Sequence, residues 1–458
     1  MSLSRSRKVA FVLAVSKCIA LTSFAPGADP AFPLKVAESH RCLVDQKGQP
    51  YFINAEAGWR ILWMISPEEL KTYLDDRKAK GFNTILCQLV PDGKVEGESY
   101  GDRPNQEGQH AFIERDFSKP NPAYWVHIDN ALTECVSRGF LLLVSTHYLG
   151  CCQDGWHEIL ENAPNSDDKA KEYGRWIGER YKDVPNIVWV GGGDHNETRR
   201  SILICEGIAE KDPNHVQTFH PSAGQTARSR LPDAKWLSLD ATYTYYPGME
   251  GRTDQFHVYA QSYVAWSRKP AMPFVMSESA YEEERDAPPQ FIRRQAYWSY
   301  LGGACGHVYG HVATWSHPAG WLSKLNDPGA RHVGLIGKAF LGRPWHELEP
   351  DWSHNVVIAG RGVFNSGTSP GGDDYATASR TKDGRLVLTY LPTSRTVTVQ
   401  MKRLVAPVLA EWFDPTSGDV TKVEGGPFEN SGNRDFAPPG KNKGGDGDWL
   451  LVLEAQVK

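Results

Sequence analysis

The stretch that decides the fold is Ile187-Val188-Trp189-Val190-Gly191-Gly192-Gly193-Asp194-His195-Asn196. Four β-branched or aromatic residues in a row suit a strand buried on both faces, as strands of a parallel sheet are. The glycines that follow suit a tight turn, and they deliver a carboxylate, an imidazole and an amide directly after the strand end. No Lys-Ser or Lys-Thr follows them, so the turn is not a phosphate-cradling P-loop. A carboxylate placed in this way is what a barrel of βα units sets at its working end.

Outward from this stretch the same grammar repeats between about residues 50 and 345. Ser66 can cap a helix that opens on Pro67, Glu68 and Glu69, carries Leu70, Tyr73, Leu74 and Arg77 at helical spacing, and stops at Gly81. A second helix opens on Asn121-Pro122, puts Trp125, Ile128, Leu132, Cys135 and Val136 on one face, and ends at Gly139. Strands are expected at 51–55, 84–90, 141–146, 187–190, 216–219, 236–239, 274–276 and 306–309. Eight alternations predict an α/β fold, a (β/α)8 TIM barrel, and no glycine fingerprint for a dinucleotide appears. After about Pro350 the pattern changes to strands and turns at 376–380, 385–391, 396–401, 408–413 and 449–453, which predicts a C-terminal antiparallel β-sandwich. The Gly/Pro/Asn-rich stretch 425–447 reads as an exposed loop. The expected division is 1–28 signal peptide, 29–348 barrel and 349–458 sandwich.

The leader follows from Arg5, Arg7 and Lys8, an apolar stretch from Val9 to Ala20 interrupted by Lys17, and small residues up to Ala28. It predicts a secreted or periplasmic protein. The 458-residue chain has 40% hydrophobic and 23% charged residues, which excludes disordered and coiled-coil classes. Its net charge of −5, with no long basic run, argues against nucleic acid or an anionic membrane as partner. No stretch beyond the leader is long and apolar enough for a membrane span. Cys42, Cys87, Cys135, Cys205 and Cys305 read as buried thiols. The adjacent Cys151 and Cys152 read as structural, with a vicinal disulfide left open.

Two carboxylates stand just past strand ends: Asp194 after the fourth strand and Glu278, in Ser277-Glu278-Ser279, after the seventh. Breaking a glycosidic bond needs one carboxyl to protonate the departing oxygen and another to attack or steer water at the anomeric carbon. The plainer reading of each is a carboxylate that caps a helix or pairs with Arg. The same mouth collects candidate substrate-binding residues: Glu56 and Trp59 after the first strand, Gln88 on the second, and His147 and Tyr148 after the third. His195 and Asn196 flank Asp194, His220 follows the fifth strand, Asp240 and Tyr243 the sixth, and His307, Tyr309, His311 and Trp315 surround the eighth. Rings mixed with hydrogen-bonding groups suit a sugar, though each could be a satisfied structural group and Trp59 could be core. His307 and His311 near Cys305 do not converge in a strand-like run, so no metal site and no cofactor is expected. Gly367-Thr368-Ser369-Pro370-Gly371 matches a serine-hydrolase pattern, but Pro370 lacks the N–H an oxyanion hole needs, so it reads as a turn. Glu282 to Glu284 reads as a solvated acidic turn.

Several motifs in one order resemble a known family. The stretch 186–196, Phe219-His220-Pro221, Trp236 through Asp240, Ser277 through Glu282, Arg293 through Trp298 and Gly306 through His311 resemble the apiosidase-like barrels of glycoside hydrolase family 140. Leu388 through Pro392 and Glu411 through Gly418 resemble the module that usually follows, whose name, collagen-binding domain, describes a similarity and no demonstrated ligand. The resemblance implies Asp194 as acid/base and Glu278 as nucleophile in a retaining mechanism on apiose-containing side chains of the pectin rhamnogalacturonan II. It departs from the family pattern at Ala55-Glu56-Ala57-Gly58-Trp59, where Gly-Asp-Thr-Ala-Trp is common, and at His195, where Arg is common. These leave open another pentose or a deoxyhexose. The competing expectations are a non-catalytic carbohydrate-binding barrel and a metal-dependent hydrolase.

Overall fold

The computed structural model describes residues 29–92, 102–151, 155–245, 257–366 and 372–456. The expected leader, Cys152 and the 367–371 turn lie outside the described residues. The helix Pro67–Lys80 forms as its ends dictate: Ser66 accepts from the Glu69 N–H, Glu69 reaches back to the Ser66 N–H, and Gly81 closes it at φ 95°. Its buried face is Leu70, Tyr73, Leu74 and Arg77, the face read from spacing. Asn121 caps Pro122–Ser137 in the same manner by accepting from the Ala123 N–H.

Eight strands make the barrel: β1 (Ile53–Ala57), β2 (Thr84–Gln88), β3 (Leu141–Ser145), β4 (Ile187–Gly192), β5 (Gln217–His220), β6 (Asp240–Tyr243), β7 (Phe274–Glu278) and β8 (Gly306–Tyr309). Every hydrogen-bonded neighbour is parallel, in the order β5-β4-β3-β2-β1-β8-β7-β6. The seam between β5 and β6 is closed by the Ser238 and Leu239 N–H groups, which donate to the Gln217 carbonyl at 3.0 and 3.2 Å. All eight strands are buried along their whole length, and so they read as continuous apolar runs.

The sixth strand corrects the sequence reading. The chain at 236–239 approaches the barrel without joining a strand, and the ladder begins at Asp240, which pairs with Phe274; Tyr243 is level with Glu278. Asp240 therefore starts a strand at the end opposite the mouth, and Tyr243 finishes it there.

The C-terminal part is a six-stranded antiparallel sheet packed with a three-stranded one. Leu348–Pro350 is the edge strand of the larger sheet, paired with Thr377–Thr381. The stretch expected as a loop at 425–447 carries a strand, Asn433–Phe436, paired with Val397–Gln400. Period-2 alternation along the central strands splits their side chains between two cores. Leu388, Tyr390, Leu450 and Val452 join the barrel's core, while Val387, Leu391, Leu451 and Leu453 fill the sandwich. The helix Pro289–Leu301 carries the junction. Arg293 is fully buried, with Nε 2.8 Å and Nη2 2.5 Å from the two carboxylate oxygens of Asp448. Tyr297 stacks on Tyr390 at 4.5 Å, and Trp298 donates to the Tyr375 carbonyl at 2.9 Å. No helix among the described residues is long and apolar enough to cross a membrane.

Candidate active site

At the C-terminal ends of the strands lies a cleft of about 200 Å³. Six residues singled out from the sequence line it: Asp194, Glu278, Trp59, Tyr148, Tyr243 and Trp315. Asp92, Cys151, Tyr245, Tyr281, Glu284 and Arg285 line it as well and were not expected there.

Asp194 is delivered by a strained turn. Gly192, Gly193 and Asp194 have φ of 67°, 150° and 55° in succession, and a left-handed non-glycine residue costs about 1 kcal/mol. The ring of Tyr148 occupies the space a side chain at Gly193 would need. Three groups hold the turn. The Gly192 N–H donates to His147 Nε2 at 3.2 Å, the Asp194 N–H donates to His220 Nδ1 at 3.2 Å, and the Tyr148 hydroxyl donates to Asp194 Oδ2 at 3.4 Å. His147 is fully buried, and burial pushes its pKa down to about 3. It stays neutral, with Nε2 free to accept and Nδ1 donating to Thr146 Oγ1 at 2.8 Å.

Glu278 ends β7 and is 7% exposed. His220 Nε2 lies 3.0 Å from its Oε2, off the line of an ideal hydrogen bond. Because Nδ1 accepts from the Asp194 N–H, the ring's N–H belongs on Nε2, facing Glu278. Nδ1 also lies 3.2 Å from the Pro221 carbonyl, a contact that carries no proton in this tautomer. One imidazole thus touches the backbone of one carboxylate residue and the side chain of the other. From the other side Trp59 Nε1 donates to the Tyr281 hydroxyl at 2.8 Å, which leaves the Tyr281 proton for Glu278. Tyr243 stands 5.1 Å from the His220 ring, and burial, then the charges of Asp194 and Glu278, hold its phenol well above the usual range. That phenol feels both carboxylates at once.

The other expected residues are placed elsewhere. Glu56 is 0% exposed and pairs with Arg77 of the following helix instead of facing the cleft. Burial raises its pKa, opposed by Arg77. Asp240, at the closed end, accepts from the Arg228 N–H at 2.8 Å, and burial lifts its pKa to about 6. Gln88 and His307 are buried in the barrel; burial holds His307 near 3, and its Nε2 lies 3.3 Å from Ser279 Oγ. His195 packs on His157 at 4.4 Å and turns Nδ1 to the Asn196 carbonyl, and neither His195 nor Asn196 lines the cleft. His311 caps Val312–Ser316 and puts Nε2 3.0 Å from Asp327 Oδ2. It stands with Glu283 and Asp327 at ligand spacing, but Lys324 Nζ lies 2.5 Å from Glu283 and 3.5 Å from Asp327. Cys305 is a free thiol donating to the Phe274 carbonyl and meets neither His. The other four cysteines read as buried thiols are free and buried too, whereas Cys151 is disulfide-bonded.

The acidic run 282–284 is not a solvated turn. Glu282 is buried, accepting from the Gly329 N–H at 2.7 Å and the Tyr309 hydroxyl at 2.6 Å. Glu284 is half-buried in the cleft wall, its pKa raised by burial and by Glu278 against a hydrogen bond from Tyr245. Tyr245 had a sequence signal, since it follows Tyr243 at the strand period. For Asp92, whose Oδ1 lies 2.6 Å from Arg60 Nε, the sequence carried none.

Comparison with known proteins bears on what this cleft does. The family of apiosidase-like catalytic domains matches residues 37–347, and a collagen-binding-like domain family matches 365–454. A solved structure titled glycoside hydrolase is 25% identical, with TM-score 0.79 over 93% of this chain and 98% of that one. A glycoside hydrolase family 5 structure from Bacteroides vulgatus is 24% identical, with the same TM-score over 93% and 94%. No curated protein matches the chain.

Proposed function

The chain belongs to the apiosidase-like glycoside hydrolases, and on that footing we propose that it is a secreted, retaining enzyme that removes apiose from pectic side chains. In this reading Glu278 attacks the anomeric carbon while Asp194 protonates the departing oxygen. Asp194 then takes a proton from water, which releases the sugar from Glu278 with its original anomeric configuration. Trp59, Tyr148, Tyr243 and Trp315 supply the ring-lined walls against which the sugar is held.

The observation that carries the reading is His220, which holds the Asp194 turn through its backbone and stands against the Glu278 carboxylate in one cleft. Both departures from the family pattern, Glu56 and His195, lie off the cleft lining, which supports keeping apiose as the sugar. The test is incubation with pectic fractions and with a panel of aryl glycosides, followed by identification of the released sugar. Free apiose is the expected product. Another pentose or a deoxyhexose would reassign the sugar, and no release from any substrate would favour a non-catalytic binding protein. Export is tested separately by fractionating cells that express the full chain.

A further inference from the structure

Trp315 rides on a support too small to hold it. Its helix, Val312–Ser316, has five residues; His311 opens it by accepting from the Ala313 N–H, and His317 closes it at φ 52°. A single turn gains little from its own hydrogen bonds, because starting a helix is the costly step. The direction of the indole therefore has to come from what packs on it.

The group that packs on it is Arg60, from the loop after β1. Its guanidinium carbon stands over the Trp315 ring, 4.7 Å from the centroid, and its Nε lies 2.6 Å from Asp92 Oδ1. Arg60 is 8% exposed and Asp92 3%, so the pair is shielded from water and salt. Asp92 and Trp315 line the cleft, while Arg60 stands behind both. The loops after β1, β2 and β8 thus meet on one cation. A planar guanidinium can pair with a carboxylate and lie over an aromatic ring at the same time; the ammonium of a lysine keeps the charge and gives up the plane. Burial, then the charge of Arg60, holds the His317 imidazole down to about 3, so the end of the short helix stays neutral beside the cation.

The cleft measures about 200 Å³, below the roughly 300–1,000 Å³ of sites that enclose drug-sized ligands, and so has room for one small sugar beside Asp194 and Glu278. An indole fixed in that wall meets the C–H face of this sugar.

We propose that Arg60 is a positioning residue that fixes Trp315 as the platform on which the sugar to be released lies. The assignment rests on the glycosidase reading of the same cleft and adds what orients its wall.

The test uses the full chain carrying Glu278→Gln to stop turnover, titrated calorimetrically with methyl apioside, which has no bulky aglycone to stack in the sugar's place. Arg60→Lys keeps a charge against Asp92 and so protects the fold. It is expected to weaken binding about three- to thirtyfold, the range of a cation–π contact. In a Trp315→Ala background the same change should add less than about twofold. In the active chain Arg60→Lys should raise KM for an aryl apioside by a similar factor with kcat unchanged, the mark of binding shared by ground and transition states. A merely structural role would instead lower the active fraction, and with it kcat, at constant KM. Unchanged binding by Arg60→Lys, an equal loss in the Trp315→Ala background, or a fall in kcat alone overturns the proposal, as does a parent chain that does not bind methyl apioside. If the aryl apioside is hydrolysed while Arg60→Lys binds like the parent, only the Arg60 assignment fails. If Arg60→Lys weakens binding through Trp315 but nothing is hydrolysed, the catalytic reading fails and Arg60 stands.

Discussion

His220 concentrates the site's geometry in one side chain. It is fully buried, it accepts from the Asp194 N–H, and its other nitrogen lies 3.0 Å from Glu278. His220→Ala should lower kcat by about a hundredfold, the scale of a misplacement near 1 Å. His220→Asn, whose amide can serve one partner, should recover part of it. Stopped assays on the released sugar together with circular dichroism separate this from unfolding. Sequence reading found His220 as a polar residue past a strand, but not its two-sided contact, because which strands are neighbours is a property of closure. It placed Glu56 in the site for the same reason: nothing in the chain says that Arg77 reaches it from the next helix.

At the scale of elements, the turn after β4 and the start of β6 each carry a prediction. At Gly193 the backbone is left-handed and Tyr148 fills the side-chain space, so Gly193→Ala must displace the ring that hydrogen-bonds Asp194. Activity should fall at least about tenfold while destabilisation stays within about 1–3 kcal/mol, read by kinetics and thermal melting of the same preparation. Asp240 is buried at the opposite end, with a pKa of about 6 against an ordinary 3.8. An acid raised in the folded state favours folding fully below its unfolded value, and that contribution is lost as pH rises through the folded one. About two units correspond to about 3 kcal/mol lost between pH 4 and pH 7. Asp240→Asn should remove this slope, so urea melts at the two pH values should show the variant gaining on the wild type as pH rises. Buried strands and capped helices were legible because continuous apolar runs and Ser66, Asn121 and Gly81 mark them locally. The sixth strand was misplaced by four residues because Trp236 to Leu239 is as apolar as a strand, and only pairing with Phe274 fixes the register.

Across the whole molecule, barrel and sandwich share a core. Leu388, Tyr390, Leu450 and Val452 belong to the barrel's hydrophobic cluster, and Arg293 buries its charge against Asp448 across the junction. The sequence marked two kinds of grammar and so two parts. It could not show that one side of the sandwich's central strands is spent on the barrel, since alternating burial looks the same whichever partner covers it. Calorimetry should give one cooperative transition for the chain. Arg293→Ala should lower its stability by about 3–5 kcal/mol, the cost of leaving a buried carboxylate unpaired. Two separated transitions would contradict the shared core.

Glu278 as the attacking group, with Asp194 as its proton donor, is the central assignment in this cleft. Mass spectrometry of peptides after reaction with a 2-deoxy-2-fluoro glycoside tests this directly, because the fluorine slows release of a covalent sugar. The sugar's mass is predicted on the peptide carrying Glu278, and its loss in Glu278→Gln. The same adduct found on Asp194 or on Glu284 would contradict the account.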